Sequence, residues 1–536
     1  MKLSIKKLSC MALLVAMTMM QTSCDELLGE TDNPVKKALT LDKTTLEMGY
    51  AGKAVTLEAT ISHADAEYYN ITWSSSDESV ATVDDEGVVH AVGTGTAVIT
   101  AEAGDKKATC DVSVVVNLET PLTFEAAAAG ATVKFNKYGS DVVATNVEYS
   151  LDGGITWKDD LTLDGITLAA AGDKISFRGT NEAYGSDDYY ECYQFKLSNE
   201  TYVYGNVMSL INKDNYPTNK TLTADYAFRW MFTEQTNLKN KDVDHQIFLP
   251  ATTLTEYCYN SMFTACIGLT TAPELPATTM KKGCYDNMFF DCEGLTTAPK
   301  LPATTLAEKC YSNMFTACIG LTTAPKLPAK KMKKECYNSM FYNCENLTTA
   351  PKLPATTLAE NCYSSMFFGC ENLTTAPKLP AETLEKACYS YMFYCCKNLT
   401  TAPKLPATTL KQECYSCMFS NCENLTTAPE LPATTLAEGC YYWMFWGCKK
   451  LSSVTCKATD HSAGWCLDVW LNAAGTDESV TTKTIYINSA YSDYIAAMNN
   501  DLEGTADKAQ INANVPWVKG INGIPAGWTI AAAAAE

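Results

Sequence analysis

The chain is 536 residues long, enough for several domains. Its formal charge of −20 argues against nucleic acid as a partner, because phosphate binding needs clustered Lys and Arg. Of its 24 cysteines, 16 fall in two fixed columns of an internal repeat, so they belong to a packing problem before they belong to redox chemistry.

Residues 1–24 read as a lipoprotein signal peptide. Lys2, Lys6 and Lys7 make a basic start, and Met11 to Met20 is an apolar run too short to span a bilayer. Gln21-Thr22-Ser23-Cys24 resembles a bacterial lipobox, whose cysteine is lipidated and becomes the first residue after cleavage. Gln21 departs from the usual leucine, which leaves simple secretion open. Asp25 and Glu26 resemble the acidic signal that sends bacterial lipoproteins to the outer cell surface. The resemblance implies a surface-exposed protein held on the outer membrane through Cys24, the lipid being its one contact with the membrane. Residues 25–37 are polar, carry Pro34 and form a tether.

From 38 to 116, short alternating runs separated by Gly, Asp and Asn turns predict a β-sandwich. The stretch ITWSSSDESVATVDDEGVVHAVGTGTAVITAEAG is similar to the bacterial Ig-like domain, group 2. The matching residues are Trp73, Ser75, Val80 to Val83, Gly87, Ala91, Gly95 and Ile99 to Ala101. In this reading Trp73 and alternate Val and Ile side chains fill the core, while Gly87 and Gly95 serve turns. The resemblance implies a spacer of the kind found in surface adhesins, with direct ligand binding the lesser alternative.

Residues 118–205 predict a second β-rich domain. Ser150 to Trp157 fit the S-x-D-x-G-x-T-W spacing of the Asp-box seen in sialidase propellers. Asp152 can bond turn amides, Gly153 and Gly154 supply positive φ, and Trp157 packs back on the hairpin. A single copy predicts a stable hairpin and no propeller. Residues 206–248 form an N-terminal cap: Ala227 to Phe232 and Leu238 align with the first full repeat at an offset of 31, five residues more than the repeat length.

Eight near-identical units of 26 residues then run from 249 to 456, starting at Leu249, Leu275, Leu301, Leu327, Leu353, Leu379, Leu405 and Leu431. A fixed period of this length means a solenoid in which each unit contacts only its neighbours. Leu249, Pro250, Ala251, Cys258, Tyr259, Met262, Phe263, Cys266 and Leu269 have identical equivalents in all eight. Cys258, Met262, Cys266 and Leu269 recur as one stripe of a helix or helix-like turn. Thr270 to Ala272 is a short extended segment followed by Pro273 and Pro276, which limit the ladder to a few residues. Each unit is therefore predicted as one short strand plus one helical segment. The pattern C-Y-x-x-M-F-x-x-C-x-x-L-T-T-A-P-x-L-P resembles the BspA-like leucine-rich repeat. It is three residues longer than the commoner unit and adds the first cysteine. The overall fold class is then N-terminal β-sandwich domains followed by a leucine-rich-repeat α/β solenoid. Residues 457–536 make a C-terminal cap and tail, with Cys466 lying 26 after Cys440, then a strand TTKTIYI and a helix from about Ser489 to Asn500.

Cysteines eight apart on a helix lie about 12 Å from each other, beyond disulfide reach. They read as ladders of buried thiols, with inter-unit disulfides left open for an exported protein. Binding falls instead to columns that vary between units. One holds Thr264, Phe290, Thr316, Tyr342, Phe368, Tyr394, Ser420 and Trp446; another ends in Tyr391, Cys417 and Trp443. The expected ligand-binding residues are Phe290, Tyr342, Phe368, Tyr391, Tyr394, Trp443 and Trp446, which can stack on sugars or apolar peptide groups, or else pack laterally between units. His63, His90, His245 and His461 are scattered, and no phosphate-cradling loop occurs, so neither catalysis nor a cofactor or metal is expected. The BspA-like resemblance implies adhesion to a host extracellular or bacterial surface protein or glycan. A non-binding envelope protein is the alternative, and a glycan-active enzyme accessory is the least supported.

Overall fold

The computed structural model describes residues 38–49, 54–62, 70–92, 95–115, 118–500, 524–525 and 527–534. The expected signal peptide with Cys24 and the expected tether lie outside the described residues. The chain divides near Ser113 into two compact units.

The first unit is β throughout its described residues. One sheet orders Thr45–Gly49, Lys106–Val115, Gly95–Ala103 and Thr72–Ser75; another orders Ala54–Thr56, Val88–Ala91 and Ala81–Val83; Leu39–Leu41 pairs with Ala59–Ile61. Alternation puts Val89, Ile99, Ala101, Cys110 and Val112 inside. Trp73 is half-buried and lies against Gly87, where a Cβ would sit 2.6 Å from the indole and 2.8 Å from the Leu57 carbonyl. With φ at +78°, that position excludes any side chain twice over. Gly95, expected in a turn, instead opens the strand Gly95–Ala103.

The second unit begins as a β-sandwich. Val147–Ser150, Lys174–Gly179, Leu122–Ala126 and Thr201–Asn206 form one sheet; Ile166–Leu168, Ala131–Lys137 and Tyr193–Leu197 form the other. Its Asp-box closes a hairpin through reciprocal amide bonds between Tyr149 and Lys158. Asp152 accepts from the Thr156 hydroxyl and amide, the Ser150 hydroxyl and the Ile155 amide, which together hold its carboxyl down to about 2.

This sandwich is not sealed off from the repeats. Thr201–Asn206 pairs in parallel with Leu238–Lys239 and Ile247–Phe248, so the sheet runs into the first units. The core does the same. Phe135 stacks on Phe195 at 3.9 Å, Phe195 on Phe232 at 5.6 Å and Phe232 on Phe263 at 5.2 Å. The Phe column then continues unit by unit to Phe445, which meets Trp470. One hydrophobic core thus extends from Leu122 to Ile530. The five extra residues of the degenerate first unit tie the two parts together. Lys241 bonds both oxygens of the buried Glu125, which also accepts from the Tyr204 hydroxyl. Asn240 caps the amides of Thr270 and Thr271.

The repeat units stack in parallel, joined by single bridges such as Thr271↔Thr297 and Thr279↔Thr305. The predicted helical segment is absent: between Leu249 and Ser452 the described residues include neither a helix nor a regular strand. Residues 257 to 266 form a ribbon of successive turns. Even-numbered amides bond back three residues, as Met262 does to the Tyr259 carbonyl; odd-numbered ones donate to the next unit, as Phe263 does to Met288. Every fourth residue is left-handed, at Tyr257, Ser261 and Ala265 and at their equivalents in every later unit. Side chains consequently fall in pairs, two inward and two outward. Cys258 with Tyr259 and Met262 with Phe263 are fully buried in the core, whereas residues 260–261, covered at 6–8% exposure in this first unit, and the half-buried 264–265 form the outer pairs. A helix would satisfy its amides within the segment; in this ribbon about half of them are satisfied only by stacking on the next unit.

All sixteen column thiols are buried and free. The second column has a specific use: Cys292 donates to the Phe263 carbonyl, Cys318 to Phe289 and Cys344 to Phe315, each at 3.0 Å, and the pattern repeats to Cys448. Burial pushes these thiols up, to about 12 for Cys292, which keeps them protonated and inert.

The chain ends in a parallel sheet of Ser453–Cys456, Thr484–Ile487 and Thr529–Ala532. The alanine-rich tail thus supplies a strand, preceded by the fully buried Trp528. The expected helix near 489–500 is 3-10 over Ser489–Tyr494 and α over Ile495–Asn500.

Candidate functional site

The outward pairs of the ribbon define a variable face on an otherwise uniform stack. Where the column of Phe290 carries a small hydroxyl, that group caps the next unit: Thr264 donates to the Asn287 carbonyl, Thr316 to Ser339 and Ser420 to Trp443. Where it carries a ring, the rings meet each other. Tyr342 stacks on Phe368 at 4.3 Å and Phe368 on Tyr394 at 4.6 Å, within 11° of parallel. Tyr391, 37% exposed, leans on Tyr394 at 5.8 Å. Ser420 interrupts the ladder, and a second cluster follows: Tyr442 on Trp443 at 5.7 Å and Trp443 on Trp446 at 5.2 Å. The indole N–H of Trp443 is buried without a hydrogen-bond partner.

The structure therefore gathers six of the seven predicted binding residues into two neighbouring clusters. Phe290 stands apart, half-buried between Thr264 and Thr316. Both faces of Phe368 are covered by its neighbours, so this ladder offers ring edges and tyrosine hydroxyls. Its free surface suits a protein's apolar side chains better than a sugar stacked face-on.

A polar column runs beside the aromatic one. Arg229 donates to the Asn260 side-chain oxygen, and Asn260 donates to Asp286. Asp286 Oδ1 is buried with no hydrogen-bond partner. Burial raises this carboxyl to about 6, against the pull of Lys309 and of the Ser312, Asn313 and Asn287 side chains. Because the folded-state value lies above the unfolded one, its contribution to stability is full below pH ~4 and lost as pH rises through ~6. Asp286→Asn is therefore expected to stabilise the protein by roughly 1–3 kcal/mol at pH 8, with the gain shrinking towards pH 4, as read from urea midpoints across that range.

Residues 37–112 match the bacterial Ig-like domain, group 2. A stretch of 142 residues is 37% identical to an alpha-L-arabinofuranosidase of Bifidobacterium longum subsp. longum, and this is 25% of the present chain and 12% of that enzyme. Among solved structures, domains 4 and 5 of the S-layer protein SbsC share 23% identity over 15% of this chain and 52% of theirs, with a TM-score of 0.14. The Yersinia pseudotuberculosis adhesin InvE shares 15% identity over 26% of this chain and 50% of its own, with a TM-score of 0.10. Such partial overlaps assign no fold to the repeats. The strand pattern, the indole-packed Gly87 and the family match agree on the N-terminal unit, which is a bacterial Ig-like domain of group 2.

Proposed function

We propose that the chain is a cell-surface lipoprotein, anchored through Cys24, that presents its repeat stack for adhesion to a host or bacterial surface protein or glycan. We assign the array to the BspA-like leucine-rich repeats and give the chain no catalytic role. The observation that carries the reading is the division within each unit. The inward Cys, Tyr, Met, Phe and Leu columns of the ribbon are identical from unit to unit, while its variable aromatic residues lie in outward columns. Core packing alone gives no reason to place Tyr391 and Trp446 there. The group 2 Ig-like domain supports the same setting, as a spacer of the kind found in surface adhesins.

The test is a binding screen of the purified chain against host-matrix proteins, bacterial surface proteins and glycans. A ligand should be found, and the double variant Tyr394→Ala/Trp446→Ala should weaken it at least tenfold with no change in the circular dichroism spectrum. An empty screen would favour a non-binding envelope role.

A further inference from the structure

A second aromatic cluster lies where the β-sandwich meets the first unit. Trp230 occupies the same left-handed column as Tyr391 and Trp443, with φ at 66°. Tyr189 stacks on it at 5.3 Å, Tyr138 meets it edge-on at 5.2 Å, and Tyr190 lies against Tyr189 at 4.0 Å. The segment bearing the tyrosines is held from several sides. The Asp188 carboxylate caps the Tyr190 amide at 2.9 Å, and Arg229 donates to the carbonyls of Ser186 and Asp187 at 2.5 and 2.8 Å. The Tyr138 amide donates to the Cys192 carbonyl at 2.8 Å.

Despite that support, Tyr190 is 54% exposed and Tyr189 is 38% exposed. Large rings fixed in place and left in water are what a ligand platform requires, since little side-chain freedom is lost on binding. The rim selects the ligand. Exposed carboxylates of Asp187, Asp188 and Glu191 flank the rings, the last paired with Lys137. An apolar protein surface would have to strip water from these charges, and an anionic ligand would be repelled by them. An uncharged sugar meets both features, with C–H groups against the ring face and hydroxyls donating to carboxylates.

We propose that Tyr138, Tyr189, Tyr190 and Trp230 form a platform for neutral glycans, with a sugar ring on the outer face of Tyr190 and its hydroxyls reaching the carboxylates of Asp187 and Glu191. This site is separate from the Tyr394 and Trp446 face and stands whether or not that face binds anything.

Calorimetric titration of the full chain with neutral xylo-, arabino-, cello-, manno- and chito-oligosaccharides, and with a heparin oligosaccharide as the anionic comparator, tests it. At least one neutral sugar should bind. Tyr190→Ala should weaken it tenfold or more at unchanged melting temperature, while Tyr394→Ala/Trp446→Ala leaves it intact. In the unmodified protein the same sugar should protect Tyr190 from nitration, read by mass spectrometry. No neutral sugar bound, preference for heparin, indifference to Tyr190→Ala, or absence of protection would each overturn the proposal.

Discussion

Phe341→Ala is expected to cost about 3–5 kcal/mol and to divide one unfolding transition into two. Phe341 is fully buried, with Phe315 at 5.6 Å on one side and Phe367 at 5.8 Å on the other. Truncation opens a cavity between three successive units at once. In a stack held by nearest-neighbour interfaces, that cavity weakens two adjacent couplings and leaves the others intact. The halves on either side also differ. The N-terminal half shares its Phe column with the sandwich through Phe232 and Phe195, whereas the C-terminal half ends against Trp470. The C-terminal half should therefore melt first. Urea unfolding followed by circular dichroism should show a lower first midpoint and a reduced slope for each step. The same change at Phe445, next to the end of the column, should lower stability without splitting the transition. A single transition with an unmoved midpoint in Phe341→Ala would show that the column is not what couples the units.

Much of this core is legible in the amino-acid sequence. The columns of Leu249, Cys258, Tyr259, Met262, Phe263 and Cys266 are identical in all eight units, and all are buried. The Ig-like strands and the Asp-box hairpin are equally readable, since each is set by residues close together in the chain. Other features depend on the register between units, which the period states but does not orient. The bond from the Cys344 thiol to the Phe315 carbonyl spans 29 residues and exists only once the stack is aligned. The cluster of Tyr138, Tyr189, Tyr190 and Trp230 joins three separate segments, and no spacing rule links them. The aromatic ladder is visible as a column of the repeat, but its stacking depends on how far apart neighbouring units sit.

The expectation of a helix fails for a definite reason. Over the nine residues from Cys258 to Cys266, a period of 3.6 and a period of 4 place the same side chains on nearly the same face. The deciding signal lies in the outward columns. Gly283, Asn361 and Gly439 share one, Asn287 and Asn313 another, and Asp291, Asn343, Gly369, Asn421 and Gly447 a third. These are residues that tolerate a left-handed backbone, and they are poor helix formers. Each of these columns is left-handed in the structure.

That distinction has a consequence whose sign separates the two structures. Ala317 has φ at 59°, and its amide donates to the Tyr342 carbonyl of the next unit at 2.7 Å. In a helix, Ala317→Gly would destabilise by about 0.5–1 kcal/mol. In the ribbon, it removes a Cβ from a conformation that costs an L-residue about 1–2 kcal/mol. Part of that gain is returned to the unfolded chain, which glycine makes freer. The net expectation is stabilisation by about 0.5–1 kcal/mol, and Gly369 and Gly447 already occupy this column. Ala317→Pro should do the reverse on a larger scale. It forces φ to about −65° and deletes the donor that joins this unit to the next, for a loss upwards of about 4 kcal/mol. Both variants leave the neighbouring Phe315 and Cys318 in place, so the contrast isolates the backbone. Denaturation midpoints of the two, measured beside the parent chain, should fall on opposite sides of it; a glycine variant less stable than the parent would restore the helix and remove the left-handed ribbon as the unit's basis.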